Sequence, residues 1–366
     1  MAGTQARPST QPLPHEPLAS AMGCLCWRPR ASPPRTMVRR FTVSRFPLRS
    51  LFRPGRAPTA LLLALAFATV ACGGGEEAAP ATSTPTVAAT TSAPAFPLIV
   101  TDSSNTAVTI QAPPQRIISY SPGATEILFA IGASERVVAV DKFSDYPEQA
   151  KRLPKLEYSD PNPEAALAHQ PDLVLFATRQ RDQVKPFRDL KLNVLYQQEA
   201  SSIDGVYEQI ILLGRVTGNS EQAQRVVAQM RTRIEAVTQG VADVPQGPRV
   251  FYEVTKDLYT AAPNTFIGGM FIAIKARNIA AGAPSPFPQL TAEAVIAADP
   301  EVVMLGDAAF GESYDTVAKR PGWAAVSAVK NRRVYAIDTN IVDRPGPRIA
   351  DGIEALARAL YPDRFK

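Results

Sequence analysis

Cysteine and histidine are almost missing from this chain. Its 366 residues hold three cysteines and two histidines, and beyond position 72 only His169 is left of either type. That absence excludes a disulfide framework, so the folded part must be held by its cores. It also leaves too few ligands for a zinc site and no pair for a Ser-His or Cys-His nucleophile. No apolar run reaches the roughly 20 residues a membrane-spanning helix needs. A Gly-rich phosphate loop between strand and helix is absent as well. A strong charge of one sign is lacking once the chain is divided: residues 1–71 hold ten of the 39 basic residues and one of the 34 acidic, leaving 29 against 33. The overall net charge of +5 therefore carries no argument for a nucleic-acid partner.

What is present starts with the leader. A basic segment runs into an apolar stretch of about fourteen residues at 57–70, the dimensions of a signal-peptide core. It stops at Thr69-Val-Ala-Cys72. Small residues before a cysteine resemble the lipobox of bacterial lipoproteins, which implies that Cys72 is lipidated and becomes the new N-terminus. Residues 1–71 then form leader and signal peptide, with Met1 or Met37 as the start. The Gly, Ala, Thr, Ser and Pro of 72–97 predict a flexible tether. An exported chain anchored to the cell membrane, facing the periplasm or cell exterior, is the expected localisation.

The remaining chain writes one phrase twice, NPEAALAHQPDLVL at 162–175 and TAEAVIAADPEVVM at 291–304. Asn162 and Thr291 are good N-caps, Pro163 suits the first helical position, and Pro171 and Pro300 end each helix. The apolar residues that follow predict strands buried on both faces. The two copies set Glu164 and Glu293 at the same point of a first helical turn. His169 falls within the first copy and reads as a surface helix residue.

Other segments repeat the programme. A hairpin is expected from 98–101 and 107–110, and strands at 116–120, 137–140, 173–176 and 194–196. Helical spacing fills 203–241, broken at Gly218-Asn219, and its second half would span roughly 30 Å, enough to connect two lobes. Strands return at 249–254, 301–305 and 334–337, with helices at 264–276 and 350–360. The fold class is α/β: two three-layer α/β/α lobes with parallel sheets, at 98–202 and 248–366, joined through a helical linker at 203–247. Ligands of such sheets collect beyond the carboxyl ends of the strands, here in a cleft between the lobes. One long helical connection favours small lobe movements over a wide hinge.

Five ordered motifs then carry a resemblance: RIISYSPGATEIL at 116–128, SDYP at 144–147, PDLV at 171–174, Pro321-Gly-Trp323 with Ala328-Val-Lys330, and RPGPR at 344–348. Over about 98–364 the chain resembles the substrate-binding proteins of ABC importers for iron-siderophores, haem and cobalamin, and most of all their cobalamin-binding branch. The resemblance implies two lobes joined by one long helix, membrane permease subunits as partners, and permease docking by Glu164 and Glu293. It implies no catalysis and no resident cofactor, since any metal belongs to the cargo. A monomer is expected. Glu126 of the first motif reads as structural.

For the ligand, the resemblance points to Phe143, Tyr158, Tyr259, Phe287, Asn340 and Arg344. Flat apolar side chains suit a large macrocycle. Ala177 departs from the cobalamin branch, which tends to carry tryptophan there, and Asn340 stands in place of an acid. Ferric siderophore and haem therefore stay open beside a corrinoid, with Arg179, Arg181, Arg344 and Arg348 as partners for ligand carboxylates. The reading from another class is an exported α/β enzyme.

Overall fold

The computed structural model describes residues 95–365, and all of them fall within one compact unit. The leader, Cys72 and most of the tether lie outside the described residues.

The chain enters through β1 (Leu98–Thr101) and β2 (Ala107–Ile110), an antiparallel hairpin. Its turn is organised by the buried Asp102 carboxylate, which accepts from the Ser104 and Thr106 amides at 2.8 and 3.1 Å and pairs with Arg188. Alternation follows: β3 (Ile117–Tyr120), α1 (Pro122–Ala130), β4 (Val137–Asp141), α2 (Glu148–Lys151), β5 (Lys155–Leu156), α3 (Pro163–Leu167), β6 (Leu173–Phe176), α4 (Val184–Asp189) and β7 (Val194–Tyr196). The five strands from β3 to β7 form a wholly parallel sheet in the order β5-β4-β3-β6-β7.

Two helices carry the chain onward. Ser202 caps α5 (Ile203–Thr217) by accepting from the Gly205 amide. Gly218 ends it at φ 77°, a left-handed position suited to glycine. The 21-residue α6 (Ser220–Gly240) follows at once, burying Val226, Val227, Met230, Ile234 and Val237 along one side. At 1.5 Å per residue it is about 30 Å long.

The second lobe is built from β8 (Arg249–Thr255), β9 (Tyr259–Thr260), α7 (Phe266–Ala273), β10 (Arg277–Asn278), α8 (Ala292–Ala298), β11 (Val302–Leu305), α9 (Tyr314–Ala318), α10 (Ser327–Lys330), β12 (Val334–Ala336), α11 (Thr339–Val342) and α12 (Ile349–Leu360). Its sheet runs β10-β8-β11-β12 in parallel, with β9 folded back antiparallel on β8. The helix expected at 264–276 is confined to α7, because Thr265 caps its start by accepting from the Gly268 amide. The two-residue strands β5, β9 and β10 carry too little pattern to be foreseen.

Strand pleating divides the side chains between cores. Leu173 and Leu175 of β6 face one core, Val174 and Phe176 a second. In β11, Val302 and Met304 enter that same first core, while Val303 and Leu305 join a third around Trp323. The first core thus runs from one sheet to the other through α5, α6 and α12. Both copies of the repeated phrase form as expected, with Asn162 accepting from the Ala165 amide at 2.8 Å and Thr291 from the Ala294 amide at 3.1 Å. His169, however, sits in the turn after α3, since the helix ends at Leu167.

Candidate functional site

Parallel strands deliver their loops to one edge of each sheet, and the predicted ligand residues lie on those loops. In the first lobe the buried Asp141, last residue of β4, fixes the loop that follows. Its carboxylate accepts from the Phe143 amide at 2.8 Å and from the Ser144 hydroxyl. Ser144 in turn meets Thr125 of α1 at 2.9 Å, and Lys155 donates to the Ser144 carbonyl. Phe143 is thereby held outward, 48% exposed, with its ring 5.2 Å from that of Tyr158 and nearly perpendicular to it. An ion pair between Lys142 and Glu157 at 2.6 Å lies beside the two rings.

In the second lobe Tyr259 stands on β9, whose outer side is bordered by residues 286–289. The Thr260 amide donates to the Pro288 carbonyl at 3.0 Å and the Ala262 amide to the Pro286 carbonyl at 2.9 Å. Tyr259 and Phe287 are thus brought onto adjacent segments, 42% and 53% exposed. The structure thus brings Phe143 and Tyr158 into ring contact in the first lobe and sets Tyr259 and Phe287 on neighbouring segments in the second. Asn340 is half-buried at the start of α11, where its amide donates to Asp338.

Arg344 has protein partners. Its guanidinium lies 2.6 Å from Asp145 and 3.7 Å from Glu126. Arg348 holds Glu126 in a two-point bond, at 2.9 and 2.5 Å, and lies over the Tyr146 ring at 3.9 Å. Burial pushes the Glu126 carboxyl above its ordinary value, against the pull of Arg348 and Arg344. Burial acts the same way on Asp145, but there Arg344 prevails and holds the carboxyl low. Arg344 and Arg348, read from sequence as cations for a ligand carboxylate, are therefore already neutralised by carboxylates of the first lobe. Gly123 allows this approach, since a Cβ there would lie 2.5 Å from the Pro345 carbonyl oxygen. The SPGATE and RPGPR motifs thus form one lock between lobes. Behind it, against α6, lies a cavity of about 780 Å³ bordered by Phe129, Tyr146, Val226, Met230 and Arg348. None of the predicted ligand aromatics lines this cavity, so it does not mark their site.

Glu164 and Glu293 are exposed in the first turns of α3 and α8. Neither forms an ion pair or side-chain hydrogen bond among the described residues. Both helices precede a central strand, β6 or β11, so their N-termini open on the same strand edge as the aromatic loops.

Sequence reasoning missed Asp307, two residues beyond β11. The residue is 3% exposed, and neither carboxyl oxygen has a hydrogen-bond partner among the described residues. Burial, with Glu253 nearby, pushes the carboxyl up to about 6. No local pattern distinguishes this aspartate from a solvated loop residue.

Comparison with known proteins adds a family. Residues 117–341 match the model for periplasmic binding proteins. YvrC of Bacillus subtilis, an uncharacterized ABC transporter substrate-binding lipoprotein, is 34% identical over 74% of this chain and 88% of its own length. A cobalamin-binding protein of Halobacterium salinarum is 35% identical over 73% of this chain and 74% of its own. Among solved structures, the periplasmic haem-binding protein RhuT of Roseiflexus sp. RS-1 superposes with a TM-score of 0.62 at 29% identity, covering 69% of this chain and 99% of that one. With two lobes and matches that span most of its α/β region, the chain belongs to the periplasmic binding protein family, the extracytoplasmic substrate-binding components of ABC importers.

Proposed function

We propose that this protein captures a corrinoid between its lobes and delivers it to the permease. The observation that carries the reading is a set of accessible aromatics on each lobe, Phe143 against the half-buried Tyr158 and the exposed Tyr259 on a segment beside the exposed Phe287. Rings presented from both sides grip a flat macrocycle by area burial and stacking. The cobalamin-binding relative of Halobacterium salinarum supports that ligand class. Asn340 supplies a polar contact at the rim, and Arg344, anchored by Asp145, presents its remaining donors to ligand carbonyls. Haem is the second reading, supported by the likeness to RhuT, and a ferric siderophore would use the same clamp.

Glu164 and Glu293 each give a carboxylate for charge-assisted hydrogen bonds to arginines of the permease, one contact per lobe. Lipidated Cys72 holds the chain at the membrane, residues 72–97 act as tether, and the protein works as a monomer. Calorimetric titration of the purified chain with cyanocobalamin, hemin and a ferric siderophore tests the ligand. Micromolar or tighter binding of cyanocobalamin alone is expected; selective binding of hemin or the siderophore would replace the corrinoid reading.

A further inference from the structure

Phe310 is 90% exposed, the highest value among the large apolar side chains of the described residues. It ends a single 3₁₀ turn, residues Ala308–Phe310, that begins just beyond β11. The turn is fixed: the Phe310 amide donates to the Asp307 carbonyl at 2.8 Å and the Gly311 amide to the Ala308 carbonyl at 3.1 Å. Gly311 closes it at φ 102°, a conformation open to glycine. Leu305 of β11 lies opposite Glu253 of β8, and the Gly306 amide donates to the Glu253 carbonyl at 2.8 Å. Glu253 also pairs with Thr260, beside Tyr259. The loop that carries Phe310 therefore leaves the same strand edge as Tyr259 and Phe287.

The repeated phrase sharpens the comparison. Aligning 162–175 with 291–304 sets Ala177 against Gly306 and Arg181 against Phe310. After β6 the first lobe thus offers a buried alanine and no exposed aromatic, whereas the corresponding loop of the second lobe offers one. A phenylalanine ring held at the carboxyl edge of the sheet presents apolar area where ligands of such sheets collect, and a ligand seated there would cover it.

We propose that Phe310 is a fifth aromatic ligand contact, a specificity-determining residue that lets the second lobe supply the ring missing at Ala177. This rests on the macrocycle reading of the cleft. Covering the ring on binding removes apolar area from water, and its truncation weakens affinity by about tenfold.

The test is titration of cyanocobalamin and hemin into the full chain, expressed with its own leader, and into Phe310→Ala, Phe310→Trp and Ile272→Ala. Ile272 is another exposed apolar residue, on α7. Expected are a Kd about tenfold weaker in Phe310→Ala for whichever probe the parent binds, and values near the parent in Phe310→Trp and Ile272→Ala. Equal Kd in parent and Phe310→Ala overturns the proposal while leaving the ligand reading intact. Equal Kd with weakened stimulation of the permease ATPase overturns it too and transfers Phe310 to the docking surface. A parent that binds neither probe overturns the macrocycle reading and the proposal together.

Discussion

A carboxyl group buried without a partner is a cost that depends on pH. Asp307 titrates at about 6 in the folded chain against 3.8 ordinarily, because burial and Glu253 disfavour its charge. Between those values the folded state holds a proton that the unfolded state has released. Stability therefore falls as pH rises through this window, and the full penalty, about 3 kcal/mol, persists above it. Asp307→Asn removes that penalty. Thermal melts should show a higher Tm than the parent at pH 7.5 and almost none of that gain at pH 4; the same gain at both values would contradict the account. Glu126 is likewise pushed up by burial, but it keeps its partner in place. Glu126→Gln leaves the Arg348 guanidinium, 14% exposed, short of its counter-charge and should cost about 3 kcal/mol. The exposed Lys185–Asp189 pair is the contrast, and Asp189→Asn should cost under about 0.5 kcal/mol. Denaturant titration of both variants decides whether burial sets the difference.

At the scale of elements, α3 and α8 were legible because their signals are local. An N-cap, a carboxylate in the first turn, a proline stop and a strand of alternating destination all lie within fourteen residues. The same locality made α5, α6 and the central strands readable. Contacts between distant segments were not: Glu126 and Arg348 stand 222 residues apart, and each looks like an ordinary helix or loop charge until the lobes are assembled. The sequence order likewise concealed that residues 286–289 border β9, which is what joins Phe287 to Tyr259. The exposed N-terminal turns of α3 and α8 give the next expectation. Glu164→Arg with Glu293→Arg should leave ligand Kd unchanged and cost only about 0.5–1 kcal/mol of stability per site, since each replaces a favourable first-turn carboxylate by a cation, yet abolish ligand-dependent stimulation of the permease ATPase. Retained stimulation in the double variant would remove the docking role.

The whole molecule is governed by the core that the two sheets share. Val302 and Met304 of the second sheet belong to the same apolar cluster as Leu173 and Leu175 of the first, through α5, α6 and α12. Rotating one lobe far from the other would expose part of that surface, at roughly 25 cal/mol for each Å². The Glu126–Arg348 and Asp145–Arg344 bonds add a second restraint across the same junction. A wide hinge is therefore disfavoured twice, once by apolar burial and once by charges that would lose their partners. Small-angle scattering profiles with and without saturating ligand should superimpose closely for the parent chain. Glu126→Gln removes one of these restraints, so its two profiles should separate slightly more than those of the parent, the shared core and the Asp145–Arg344 bond still holding the lobes. A large contraction of the parent on binding would show that the shared core yields more readily than its burial implies, and ligand capture would then depend on domain closure rather than on a cleft already in place.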